Sequence, residues 1–111
     1  MLEYLFANKN VEKILVYLSR HDKANASELS KAFASSLDPI QKTLKKLEEG
    51  GLLASTLEGK TRVFTWNPRY YFLNEIQAIA NKAYEALPET IKNDTYKFMK
   101  RKRPRKTGKP L

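Results

Sequence analysis

Apolar residues recur every three to four positions as far as a glycine pair, Gly50-Gly51, and beyond that pair the chain turns into short β-prone runs. This change of period restricts the chain to a mainly α architecture with one small β element, helices first and a hairpin after them. Val11, Ile14, Leu15 and Leu18 fall at i, i+3, i+4 and i+7. They form one buried face of a helix expected to open at a capping Asn10 and to stop near Arg20-His21-Asp22. Residues 2–7, with Leu2, Leu5 and Phe6, read as a short helical turn ahead of it. Asn25-Ala26-Ser27-Glu28 has the spacing of a capping box and opens a short second helix with Leu29, Ala32 and Phe33 inward. Ala34-Ser35-Ser36-Leu37 is a tight link. A third helix is expected with Asp38 as cap, Pro39 at the first helical position and Gln41 completing a second box. Ile40, Leu44 and Leu47 share its apolar face, and Gly50-Gly51 ends it.

Beyond the glycines, residues 53–57 and 62–66 flank Glu58-Gly59-Lys60-Thr61, the pattern of a hairpin with Phe64 and Trp66 turned to the core. A long helix is then expected over residues 71–86. Its broad stripe is Phe72, Leu73, Ile76, Ile79, Ala80 and Ala83. Tyr70-Tyr71-Phe72 reads as core packing rather than as the lining of a cavity. Pro88 interrupts, and a weaker helix is expected from Glu89 to about Lys100, using Ile91, Tyr96 and Met99. The stretch from 101 onward, with two prolines and a glycine, is expected to be extended or disordered. The expected organisation is therefore a helical and hairpin unit over 1–68, a further helix over 69–87, and a weak helix with a basic tail over 88–111.

Composition removes many functions. The chain has 111 residues, room for one compact domain. It has no cysteine, which excludes disulfides, cysteine-ligated metal sites and thiol chemistry. Its one histidine, His21, leaves little material for a metal cluster or a catalytic triad, and is read as a residue suited to a helix C-terminus. Glu48-Glu49 are adjacent on a helix and point apart, so they form no carboxylate pair. No constellation suggests a reaction, and neither an enzyme nor a cofactor is expected. No apolar run is long enough to span a bilayer, and residues 1–10 lack the marks of a secretory signal.

The charge is uneven. Residues 1–96 hold 13 basic and 12 acidic side chains, whereas residues 97–111 hold 8 basic and no acidic ones. A nearly neutral body thus carries a cationic block, a form suited to a polyanion.

Three helices with a tight link before the third, followed by a two-stranded ribbon, is the order of a winged helix-turn-helix. A helix with one docking face and an opposite polar face can enter a major groove ~12 Å wide. On the third helix Lys42 and Lys45 lie opposite the apolar face, with Gln41 and Lys46 on the flanks. A lysine-rich face is often no more than a solvated one. Here it lies on the helix that follows the tight link, so double-stranded DNA is the expected partner. Gln41, Lys42, Lys45 and Ser36 are candidates for base edges. Ser27, Ser35, Pro39 and Lys46 lie at helix starts and flanks suited to phosphates. Lys60, Thr61 and Arg62 lie at the hairpin tip, and Arg101, Arg103 and Arg105 lie in the tail.

The segments Ala26-Ser27-Glu28-Leu29-Ser30, Ile40-Gln41-Lys42-Thr43-Leu44-Lys45-Lys46-Leu47-Glu48-Glu49-Gly50-Gly51-Leu52 and Gly59-Lys60-Thr61-Arg62-Val63-Phe64 resemble ArsR-type winged-helix transcriptional regulators of bacteria and archaea. The resemblance covers roughly residues 2–87. It implies that the helix over 39–49 reads DNA, that the hairpin is a wing, and that the first and last helices form a dimer. The dimer residues would be Leu2, Leu5, Phe6 and the stripe Phe72, Leu73, Ile76, Ile79, Ala80 and Ala83. Metal-sensing members carry a cysteine motif that this chain lacks, so neither metal sensing nor a metal is expected. The expected function is sequence-specific transcriptional regulation by a homodimer in a bacterial or archaeal cytoplasm, on the nucleoid. Two alternatives stand beside it: a charge-driven architectural DNA-binding protein, and a winged-helix module for protein or RNA.

Overall fold

A computed structural model describes residues 8–97. The chain is mainly helical, with a small three-stranded antiparallel sheet, an arrangement compatible with a winged helix. The elements in order are α1 (Lys9–Arg20), β1 (Ala24–Asn25), α2 (Ala26–Phe33), α3 (Leu37–Glu49), β2 (Leu53–Glu58), β3 (Thr61–Trp66), α4 (Leu73–Glu85) and α5 (Glu89–Ile91), with a π-helical segment at Lys92–Lys97. No helix among the described residues is long and apolar enough to cross a membrane.

The apolar faces read from periodicity converge on one core. Ile14, Leu29 and Ile40 have no exposed surface, and Leu15, Leu44 and Leu53 have almost none. Burial of each such side chain stabilises by about 1.5–3 kcal/mol, and this places α1, α2 and α3 against one another.

Two helix starts differ from the sequence expectation. Asn8, not Asn10, caps α1: its extended backbone lies outside the helix, and its Oδ1 accepts from the Asn10 N–H at 2.7 Å. The capping box of α2 forms as expected, with Glu28 N–H donating to Asn25 Oδ1 at 2.9 Å and Asn25 N–H to Glu28 Oε1 at 3.3 Å. Helix α3 starts earlier than expected, with Ser36 as cap and no side-chain capping bond. Asp38 and Pro39 therefore sit within the first turn, where N–H groups have no intrahelical acceptor and a proline costs little. Asp38 is not the cap, and Gln41 completes no box. With Ser36 as cap, the amides that have no intrahelical acceptor are those of Ser36, Leu37 and Asp38, Pro39 having no N–H, and not those of residues 40 and 41.

Both helices flanking the tight link end by the same device. In α3, Gly51 N–H bonds the Glu48 carbonyl and Leu52 N–H bonds the Leu47 carbonyl, with Gly51 at φ 88°. This is a Schellman closure, with glycine where a left-handed conformation is needed. In α2, Ala34 N–H bonds the Lys31 carbonyl and Ser35 N–H the Ser30 carbonyl, but the left-handed residue is Ala34, at φ 50°. A Cβ there costs roughly 1–2 kcal/mol.

The hairpin runs from Leu53↔Trp66 to Glu58↔Thr61 and leaves only Gly59-Lys60 as its loop. A third strand is added. Ala24 and Asn25 pair with Phe64 and Val63, so the strand order is β1-β3-β2 rather than a two-stranded ribbon. Two residues are too few to display a period, so this strand exists only through its partner. Phe64 is buried, and half-buried Trp66 donates from Nε1 to the Leu18 carbonyl at 3.2 Å.

The C-terminal elements depart furthest from expectation. α4 begins at Leu73, because Asn67-Pro68-Arg69 closes a turn first, with Asn67 Nδ2 donating to the Gly51 carbonyl at 2.8 Å. Tyr71 and Phe72 consequently lie before the helix and are 87% and 53% exposed, so they are not core residues. α5 has only three residues and leaves Ile91 exposed, and the chain continues as a π-helical segment. Tyr96 in that segment is 4% exposed. Its ring lies 6.2 Å from Phe33 and 6.0 Å from Tyr84. Its carbonyl is 3.2 Å from His21 Nε2. His21 is thus a buried tie between α1 and the C-terminal segment, stacked on Tyr17 at 4.1 Å, and not simply a helix-end residue. Arg20 and Lys92 both lie over the Tyr84 ring, at 4.5 and 5.3 Å. Met99 lies outside the described residues.

Candidate nucleic-acid interface

Helix α3 is held inward along one side only. Ile40 and Leu44 are buried, and so is Thr43, whose hydroxyl donates to the Pro39 carbonyl at 2.9 Å. That bond satisfies the hydroxyl within the helix and lets a polar residue join the inner face. Gln41, Lys42, Lys45 and Lys46 all stand exposed on the other side. Lys42 Nζ lies 3.3 Å from Asp38 Oδ2, and the two side chains are 77% and 72% exposed. Such an i,i+4 pair contributes about 0.3–0.5 kcal/mol, little enough for a phosphate to draw the lysine away. Among the described residues, Lys45 and Lys46 make no ion pair.

α3 forms a ridge between two clefts. The first has a volume of about 420 Å³ and lies between α3, the start of α2 and the hairpin. It brings together five residues singled out from the sequence: Ser27, Gln41, Lys60, Thr61 and Arg62. The second, about 470 Å³, lies between α3 and the start of α1 and gathers Pro39, Lys42, Lys45 and Lys46 beside Asn8 and Asn10. The first cleft is lined by two cations and no carboxylate, the second by three lysines and Glu49.

The hairpin is tied to α3 by a short polar chain. Ser55 Oγ donates to Glu48 Oε2 at 2.6 Å and accepts from Arg62 Nη1 at 3.2 Å. Glu48 is therefore occupied in holding Ser55 of β2, and through Ser55 the Arg62 side chain of β3 is linked to α3. Lys23 Nζ reaches both carboxylate oxygens of Glu58, at 3.1 and 3.0 Å, and braces the hairpin near its tip.

Not every candidate joins the two clefts. Ser35 is half-buried in the link, where its N–H and carbonyl are both taken by Ser30. Ser36 is exposed at the cap but lines neither cleft. Arg101, Arg103 and Arg105 lie outside the described residues. Sequence reading missed Asn8, Asn10 and Asn25, because the first two approach α3 from another helix and no periodicity within α3 refers to them. Asn25 carried a signal only as a cap.

The stripe of α4 divides in two. Ala80 and Ala83 are 1% and 5% exposed, packed within the chain's own core, so they are not available to a second copy. Ile76 also packs against that core. The reason is that α4 covers α1, and the small alanines allow the close approach. Phe72 is exposed, while Leu73 and Ile79 are half-buried. Leu2, Leu5 and Phe6 lie outside the described residues.

Among the described residues there is no group of three or more histidine or carboxylate side chains placed to hold a metal ion. No protein-family model matches the chain, and no curated protein matches it significantly.

Proposed function

We propose that the protein is a winged-helix, sequence-specific DNA-binding regulator related to the ArsR type and acting as a homodimer. One observation carries the reading: Gln41, Lys42, Lys45 and Lys46 are exposed together on the helix whose opposite face is sealed into the core. A helix presented in this way can enter a major groove without unfolding anything behind it. Lys60 and Arg62 at the adjoining cleft supply phosphate contacts from the hairpin. Gln41 has the amide needed for an adenine edge, and Lys45 the ammonium needed for guanine. The eight basic residues of 97–111 add attraction to any duplex.

A homodimer would place two such helices about 34 Å apart, one turn of duplex. Phe72, Leu73 and Ile79 are the part of the α4 stripe left for that contact.

The test is selection of bound sequences from a random duplex pool at ~150 mM salt. A palindromic motif is the expected result. Equal binding to every duplex would instead favour a charge-driven architectural protein, and preference for single strands or tRNA would favour an RNA-binding module.

A further inference from the structure

From the two clefts beside α3 we infer that the second one, formed with the start of α1, is a phosphate-binding site for the DNA strand opposite the one held by the hairpin. The inference rests on the DNA-binding reading and assigns a role to Asn10 and Lys46 within it. A helix with side chains is ~10–12 Å across and the major groove is ~12 Å wide, so an inserted helix has a sugar–phosphate strand along each flank. Each flank of α3 carries a cleft of similar size, about 420 and 470 Å³. The hairpin cleft offers Lys60 and Arg62 to one strand. The other offers Lys42 and Lys46, with the base-facing Lys45 at its edge, against one carboxylate, Glu49, an excess of positive charge that suits a polyanion.

The asparagines complete the site. Asn8 uses its side-chain oxygen to cap α1, which leaves its amide NH2 as a donor. Asn10 lies two residues on and lines the same cleft. Neutral amides and ammonium groups together are the usual equipment for holding a phosphate without reading a base. Lys42, paired with Asp38, is the member that must exchange a partner on binding.

The experiment is phosphate-ethylation interference on a selected duplex with the full chain, comparing wild type, the double variant Asn10→Ala/Lys46→Ala, and Arg62→Ala. Alanine favours helix at both positions of the double variant, and circular dichroism verifies that the fold is kept. Within each half-site of the palindrome, wild type is expected to show interference in two clusters, one on each strand. The double variant loses one cluster and Arg62→Ala loses the other. The double variant also weakens selected and random duplexes by the same factor, on the order of tenfold, and lowers the salt slope by about one. Two outcomes overturn the inference while leaving DNA binding intact: retention of both clusters of a half-site by the double variant, or loss within that half-site from the strand that Arg62→Ala affects. Failure of wild type to bind any duplex overturns the DNA-binding reading itself and this site with it.

Discussion

His21 Nε2 lies 3.2 Å from the backbone carbonyl of Tyr96, a contact between residues 75 positions apart. It seals the point where the C-terminal segment rejoins the body, and the Tyr96 side chain fills the space between Phe33 and Tyr84. Tyr96→Ala empties a nearly closed site and is expected to cost about 3–5 kcal/mol, read as a fall in the urea midpoint with little change in slope. Retention of wild-type stability would show that the segment does not contribute to the core.

The Tyr96 phenol is pushed well above the ordinary tyrosine range, first by burial and then by the negative charge of Glu12. In the unfolded chain the phenol ionises near pH 10, while the folded protein keeps it protonated. Its contribution is therefore complete below about pH 10 and is lost as the pH rises beyond that, by up to about 1.4 kcal/mol per pH unit. Urea titrations between pH 8 and 11 on wild type and Tyr96→Phe check this. The difference between the two proteins should be flat up to pH 10 and should then move in favour of the phenylalanine variant.

Ala34 holds a left-handed conformation that glycine adopts without strain. Ala34→Gly is expected to stabilise by about 0.5–1 kcal/mol, a rise in Tm of several degrees. Ala34→Val should destabilise, since a β-branched side chain tolerates this backbone least. If both variants melt at the same temperature, the turn between α2 and α3 is not built as described.

Asp38 is paired with Lys42, so on the DNA-binding reading it would compete with a phosphate for that lysine. Asp38→Ala should raise affinity for random duplex a few-fold in gel-shift titrations, because it removes both a repulsive charge and a competing partner. Lys45→Ala and Gln41→Ala should lose about 1–3 kcal/mol on the selected sequence and relax its base preference. Unchanged affinity and preference in all three variants would remove α3 from the reading position.

The α4 stripe yields a prediction with two arms. Phe72→Lys and Ile79→Lys should convert a dimer to monomers in sedimentation experiments while preserving the helical circular dichroism signal. Ala83→Lys should instead unfold the protein, because the side chain it replaces is buried in the chain's own core. A dimer that survives both surface substitutions would place the contact elsewhere.

Several features were legible residue by residue. Ile14, Leu29, Ile40 and Leu44 lie on the buried faces that their spacing predicts, because helical periodicity is a local property. The Asn25–Glu28 box and the glycine closure after α3 involve groups within a few residues, and the exposure of Gln41, Lys42 and Lys45 follows from the same period. Only tertiary structure decided the rest. Ala24 and Asn25 become a strand because β3 lies beside them. Ala80 and Ala83 are claimed by α1, Tyr96 is drawn into the core, and Asn8 and Asn10 arrive beside lysines of another helix. Each of these depends on two segments distant in sequence meeting in space. The period within either segment states which face is apolar, but not which neighbour will cover it.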